Sequence, residues 1–154
     1  MGLWDKIKSV KNMVTGRGAQ VFVTVDEEPA MGEPFKVYIK AIIKDADLKI
    51  DKVYLNIKAE ERVTVYDVDV FRNDEVYTEE VTNITETYRS EDVVSGPETL
   101  EANKEYNWEF EVVLSDDLSS TYHGENAIHE WKFFAGLDAF GNDPDSGWIT
   151  VDIW

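Results

Sequence analysis

From Ala19 onward the apolar residues of this chain recur at every second position. Val21, Val23 and Val25 alternate with Phe22 and Thr24, and Phe35, Val37, Ile39, Ala41 and Ile43 alternate with Lys36, Tyr38, Lys40, Ile42 and Lys44. Successive side chains of a strand point to opposite faces, so each run predicts a strand with one buried face. Val53, Leu55, Ile57 and Ala59 repeat the pattern, and Tyr106, Trp108, Phe110, Val112 and Leu114 carry it most strongly. In residues 127–137, Ala127, His129, Trp131, Phe133, Ala135 and Leu137 share one face, and near the C-terminus Ile149, Val151 and Ile153 do. The predicted core contains Val37, Ile39, Leu55, Ile57, Trp108, Phe110, Trp131 and Phe133.

Residues 63–90 have strand composition but few large aliphatics. Thr64 to Phe71 and Val76 to Tyr88 flank the turn signal Arg72-Asn73-Asp74, which predicts a long exposed hairpin or two strands at a sheet edge. Its Glu and Thr side chains would guard such an edge against further pairing. Residues 91–104, with Gly96-Pro97 and Ala102-Asn103, read as a connection. No helical period lies between the strands, and parallel strands would need crossover helices. The pattern therefore predicts an all-β, antiparallel immunoglobulin-like sandwich of eight or nine strands.

The N-terminus has a different period. Leu3, Ile7, Val10 and Val14 recur at helical spacing, Lys6, Lys8 and Lys11 cover much of the other surface, and Gly16 supplies a stop. The chain thus divides into an amphipathic helix over 1–16 and a sandwich over 19–154. Two roles stay open for the helix. Its stripe can pack on the sandwich or cover a sheet edge, or its basic face can meet a partner or an anionic membrane surface. Trp4, Lys6, Lys8 and Lys11 are the candidate partner-binding residues.

Charge narrows the partners. The 154 residues carry 32 acidic against 15 basic side chains, a formal charge of -17. Residues 1–18 hold Lys6, Lys8, Lys11 and Arg17 against Asp5, so the acidic excess lies in the rest of the chain. Nucleic acid is a poor partner for that surface, because its binding relies on Lys and Arg displacing counterions from phosphate. There is no cysteine, which excludes disulfides, thiolate metal sites and cysteine nucleophiles and fits a reducing compartment. No apolar run is long enough to span a bilayer, and Lys6, Lys8 and Lys11 interrupt any signal-peptide core. The reading is a cytoplasmic protein.

Tyr122, Gly124, Trp131, Leu137 and Asp138, at this spacing, resemble the arrestin-like sandwich domain, in particular the N-terminal half of the bacterial sporulation-control proteins. The opening strands VFVTV, FKVYIKAII and VYLNIKA resemble that family too. The resemblance implies a non-enzymatic adaptor or regulatory scaffold that binds another protein, with no cofactor. Family members carry two sandwiches in tandem, and this chain has residues for one. Arrestins that read phosphate use basic residues near the first strand, where this chain has Asp26, Glu27 and Glu28.

Little else in the sequence suggests chemistry. His123 and His129 lack metal-ligand spacing, and Ser119, Ser120 and Ser146 lack a nucleophile-elbow context. Asp138, Asn142, Asp143 and Asp145 offer hard oxygen ligands for calcium, but Asn, Asp, Pro and Gly also build turns for backbone reasons. Trp148, Trp154 and Tyr38 fall on faces opposite the aliphatic ones and could stack on sugar rings. A ligand-binding module for calcium or carbohydrate is therefore the alternative to the adaptor.

Overall fold

The computed structural model describes residues 14–15 and 18–154, the former pair by backbone alone. Ten strands are present among them: β1 (Val14–Thr15), β2 (Ala19–Val25), β3 (Phe35–Ile43), β4 (Leu48–Arg72), β5 (Glu75–Ser95), β6 (Glu98–Leu100), β7 (Glu105–Val112), β8 (Tyr122–His123), β9 (Ala127–Ala139) and β10 (Ile149–Val151). All pairings are antiparallel. One sheet has the order β1-β2-β3-β7. The other has β10-β9-β4-β5, with β6 beside β4 and β8 beside β9.

The inward residues of both sheets form one core. Val21, Val23, Val37, Ile39 and Ala41 supply one side, and Val53, Leu55, Ile57, Trp131 and Phe133 the other. Phe35 meets Phe133 edge-on across the gap, with ring centres 6.2 Å apart. Apolar area removed from water here, at about 25 cal/mol per Å², is the main favourable term for the fold.

Several sequence expectations need correction. Trp108 and Phe110 are half-buried, because β7 is the last strand of its sheet among the described residues. Residues 48–72 form one strand rather than two, because the charged run Glu60-Glu61-Arg62 stays in the ladder opposite Glu130, His129 and Ile128 of β9. The connection expected over 91–104 is partly strand, with β5 reaching Ser95 and β6 following. The ten strands exceed the eight or nine expected, the excess coming from elements of two or three residues. Val14 and Thr15, assigned to the end of the helix, pair with Val21 and Gln20 as an edge strand. The rest of the expected helix, with Trp4, Lys6, Lys8 and Lys11, lies outside the described residues.

Candidate partner-binding surface

The long hairpin is where the sequence and the sandwich part company. β4 pairs with β9 as far as Val63, opposite Ala127. Thr64 adds a last backbone bond to Asn126 at 2.8 Å. Beyond it β4 and β5 continue as a two-stranded arm to the Asn73-Asp74 turn. Both turn residues have positive φ, 50° and 62°. This is the type I′ geometry whose twist matches a two-residue hairpin, so the predicted turn stands where expected.

The core-facing side of the sheet does not end with the sandwich. Buried Ala59 is followed on that side by Glu61, Val63 and Val65, with Val81 opposite Val65. A bulge then sets Tyr66 and Asp67 against Glu80 alone, and Asp67 takes a left-handed φ of 55°. After it Val68 faces Glu79 and Val70 faces Tyr77. The bulge thus keeps Val63, Val65, Val68 and Val70 on one face, with Tyr77 and Val81 across from them. Val65 is 50% exposed and Val81 43%. Glu75 and Glu79 border this stripe; Arg72 pairs with Glu79, and Tyr77 donates to Glu75. The other face of the arm carries Ile84 at its root and Phe71 and Val76 near its tip, all exposed. Between Val65 and Val81 there are six carboxylates against one cation, Arg72.

The root of the arm is firmly held. Trp131 is fully buried, packs on Tyr88 with ring centres 5.2 Å apart, and donates its indole N–H to the Ser119 carbonyl at 2.9 Å. His129 is buried beside it. Its Nδ1–H donates to the Ser120 carbonyl at 3.0 Å, so in the neutral ring Nε2 accepts from the Thr87 hydroxyl at 2.7 Å. Thr87 is the extra residue of a second bulge, between the Ala59–Tyr88 and Glu60–Glu86 rungs. His129 therefore ties the 119–121 loop to β5. His123 is exposed on β8, 3.7 Å from Asp152, and does not join it.

The outward face of the same sheet is a compensated polar surface. Trp148 is half-buried against Phe134, with ring centres 5.2 Å apart, and Lys58 lies over it at 4.4 Å. Tyr54 stacks on Phe134 and lies over Gly136, its partner on β9. Glu60 pairs with Lys58 at 2.9 Å and Lys132 at 3.5 Å, and the Lys58 hydrogen bond leads in holding its carboxyl below the usual range. A cleft of about 320 Å³ lies beside Tyr54, between Asn56 and Asp138.

The aromatic residues considered for sugar binding do not come together. Tyr38 is 8% exposed on the other sheet and donates to Asp26 at 2.6 Å, Trp148 is packed as above, and Trp154 is exposed at the C-terminal end. The loop after β9 uses its carboxylates locally. Asp143 accepts from Tyr54 Oη at 3.1 Å and from the Ala139 amide at 3.1 Å, and Asp145 accepts from the Gly147 amide at 2.9 Å. Among the described residues no group of three or more histidine or carboxylate side chains could hold a metal ion. Ser146 is buried; its hydroxyl accepts from the Ala135 amide and donates to the Gly147 carbonyl, bracing that loop. Among the described residues no helix is long and apolar enough to cross a membrane.

Two antiparallel sheets in this strand order, packed around one core, form a β-sandwich that resembles the arrestin-like fold. Spo0M, the sporulation control protein of Bacillus subtilis, has the same fold: its crystal structure superposes with a TM-score of 0.58 over 88% of this chain, at 17% sequence identity. This chain covers 49% of the Spo0M chain, about half its length. No protein-family model matches the sequence, and no curated protein sequence does. The fold expected from Tyr122, Gly124, Trp131, Leu137 and Asp138 is thus the fold found.

Proposed function

We propose that this protein is a non-enzymatic adaptor with a regulatory role, and that it binds a protein partner through the β4–β5 arm. One observation carries the reading: a core-type valine stripe runs beyond the last β9 rung, with Val65 and Val81 left about half exposed. A two-stranded hairpin alone is marginal in water, so an arm of this length gains most from a covering surface. The likeness to Spo0M supports a regulatory role in the arrestin manner. The partner is a protein with an apolar patch rimmed by basic groups, because the stripe is bordered by Glu75 and Glu79 on an arm rich in carboxylates.

The test is capture from an extract of the source organism with the full chain and with the Val65→Ser/Val81→Ser double variant, followed by titration of each captured protein in purified form. The reading requires binding by the full chain that the double variant loses while keeping its fold. Equal binding by both would refute it.

A further inference from the structure

We propose that the outer edge of β7 is a second docking site, separate from the arm. Its occupant is an extended segment of a partner protein, added as a strand, in which basic residues alternate with apolar ones. The ladder between β3 and β7 sets the geometry. The Ile43 amide donates to the Lys104 carbonyl at 2.9 Å, and the register runs without a shift from Ile42–Glu105 to Phe35–Val112. Bonded pairs alternate in an antiparallel ladder. Tyr106, Trp108 and Phe110 therefore bond to β3, and the N–H and C=O groups of Glu105, Glu109 and Glu111 point to the other side. Among the described residues no strand pairs with that side.

Two other edges are blunted in their backbone. β10 is three residues long, and β5 carries extra residues at Thr87 and Val94. Short strands and bulges both hinder pairing with a further chain. β7 has eight residues, no bulge and no proline. Its inward side chains Tyr106, Trp108 and Phe110 pack on the core yet stay half-buried, and Tyr106 stacks on Trp108 with ring centres 6.1 Å apart. Tyr88 and Val94 of β5, the end strand of the other sheet, are half-buried against the same core. A strand added outside β7 would lay every second side chain against Trp108 and Phe110 and finish their burial.

Charge selects the occupant. On the outward face of β7, Glu105 pairs with Lys40 at 2.7 Å and Glu109 with Lys36 at 3.2 Å, both lysines coming from β3. The two glutamates remain about half exposed, and Glu111 makes no ion pair among the described residues. An added strand would set its own outward residues beside these three carboxylates, which favours lysine or arginine there and opposes acidic side chains. A second copy of the chain is the weaker occupant. Antiparallel self-pairing centred on Trp108 would place Glu105 against Glu111 twice. Main-chain bonds along the edge supply affinity in this mode, and the alternate side chains supply specificity.

The probe is a short peptide of alternating lysine and valine, titrated into the full chain. At saturation, amide hydrogen exchange should slow by at least about tenfold at Glu109 and Glu111, with exchange on the arm unchanged. Methylating every second peptide nitrogen should weaken binding by at least about tenfold in one phase, where the bonds to β7 are lost, and leave it intact in the other. Glu109→Pro should weaken binding as much, because its N–H points away from β3 and the β3 ladder keeps its bonds. Should that variant fail to fold, the methylated peptides decide the matter on the parent chain. A peptide of alternating glutamate and valine should not bind. Equal effects of the two methylation phases overturn the proposal, since they would mean adhesion to an acidic surface. So does slowed exchange confined to the arm. So does protection of Glu109 and Glu111 in the free chain, which would mean that the edge is already covered; protection that fades on dilution would identify a second copy. Val65→Ser/Val81→Ser should bind the peptide as the parent does, so this proposal and the arm reading stand or fall separately.

Discussion

Val65 and Val81 face each other in the β4–β5 ladder beyond the last rung that β4 makes with β9. Replacing both with serine should change unfolding free energy by no more than about 0.5 kcal/mol per site, as for ordinary surface positions. Binding of apolar dyes should fall at the same time. Denaturant titration with dye fluorescence checks both. A loss of stability of the size seen for core substitutions would mean that the stripe is packed within the free chain.

Trp131 marks the other extreme. It is fully buried, and its indole N–H is bonded to Ser119. Trp131→Ala should cost about 3–5 kcal/mol, the range for emptying a large aromatic site. Phe110→Ala, on the edge strand β7, should cost less because Phe110 is half-buried. Chemical denaturation of the two variants gives the order.

The strand faces and the core were legible because period two is a direct consequence of strand geometry. Trp131, Phe133, Val37, Ile39, Leu55 and Ile57 are buried as the alternation predicts. The hairpin was legible from Asn73-Asp74, residues that tolerate the left-handed conformation. Alternation cannot tell a central strand from an edge strand, so Trp108 and Phe110 read as core. It also loses the strand where the inward position is charged, so β4 read as two strands on either side of Glu60-Glu61-Arg62. The stripe on the arm was hidden by the bulge at Tyr66 and Asp67: Val65 and Val68 are out of phase in sequence and in phase in space. The tie from His129 to Thr87 and Ser120 left no signal beyond a buried face, since its partners come from a loop and a bulge.

Gly136 should not tolerate alanine. A Cβ there would lie 2.3 Å from the Tyr54 ring, which is held by its bond to Asp143 and its stacking on Phe134. The ring must shift, at a cost of roughly 1–3 kcal/mol for overpacking. Gly136→Ala should lower the melting temperature, and combining it with Tyr54→Ala should recover part of the loss.

Stability should decline in strong alkali through two phenols. The hydrogen bond to Asp26, then burial, pushes Tyr38 from 10.0 up to about 12. Burial, then the charge of Asp143, pushes Tyr54 well above its usual range. A raised phenol keeps its proton in the fold at a pH where the unfolded chain has released it, so the native state binds more protons and stability falls as pH rises. The Tyr38 contribution is intact below pH 10 and is lost by about pH 12. Thermal unfolding across that window should show a shallower decline in Tyr38→Phe and in Tyr54→Phe than in the parent chain.

The two-for-one rung at Tyr66 and Asp67 stands outside the parity rule that governs the rest of the arm. Deleting Asp67 would leave Tyr66 alone against Glu80 and keep Val68 and Val70 on the valine side, because the extra residue adds no rung. Removing one residue from each strand would shorten the arm by a rung but would also turn the side chains beyond it over. Two residues removed from each strand would leave every remaining side chain on its original face. Changes in arm length that preserve the stripe therefore come in steps of four residues.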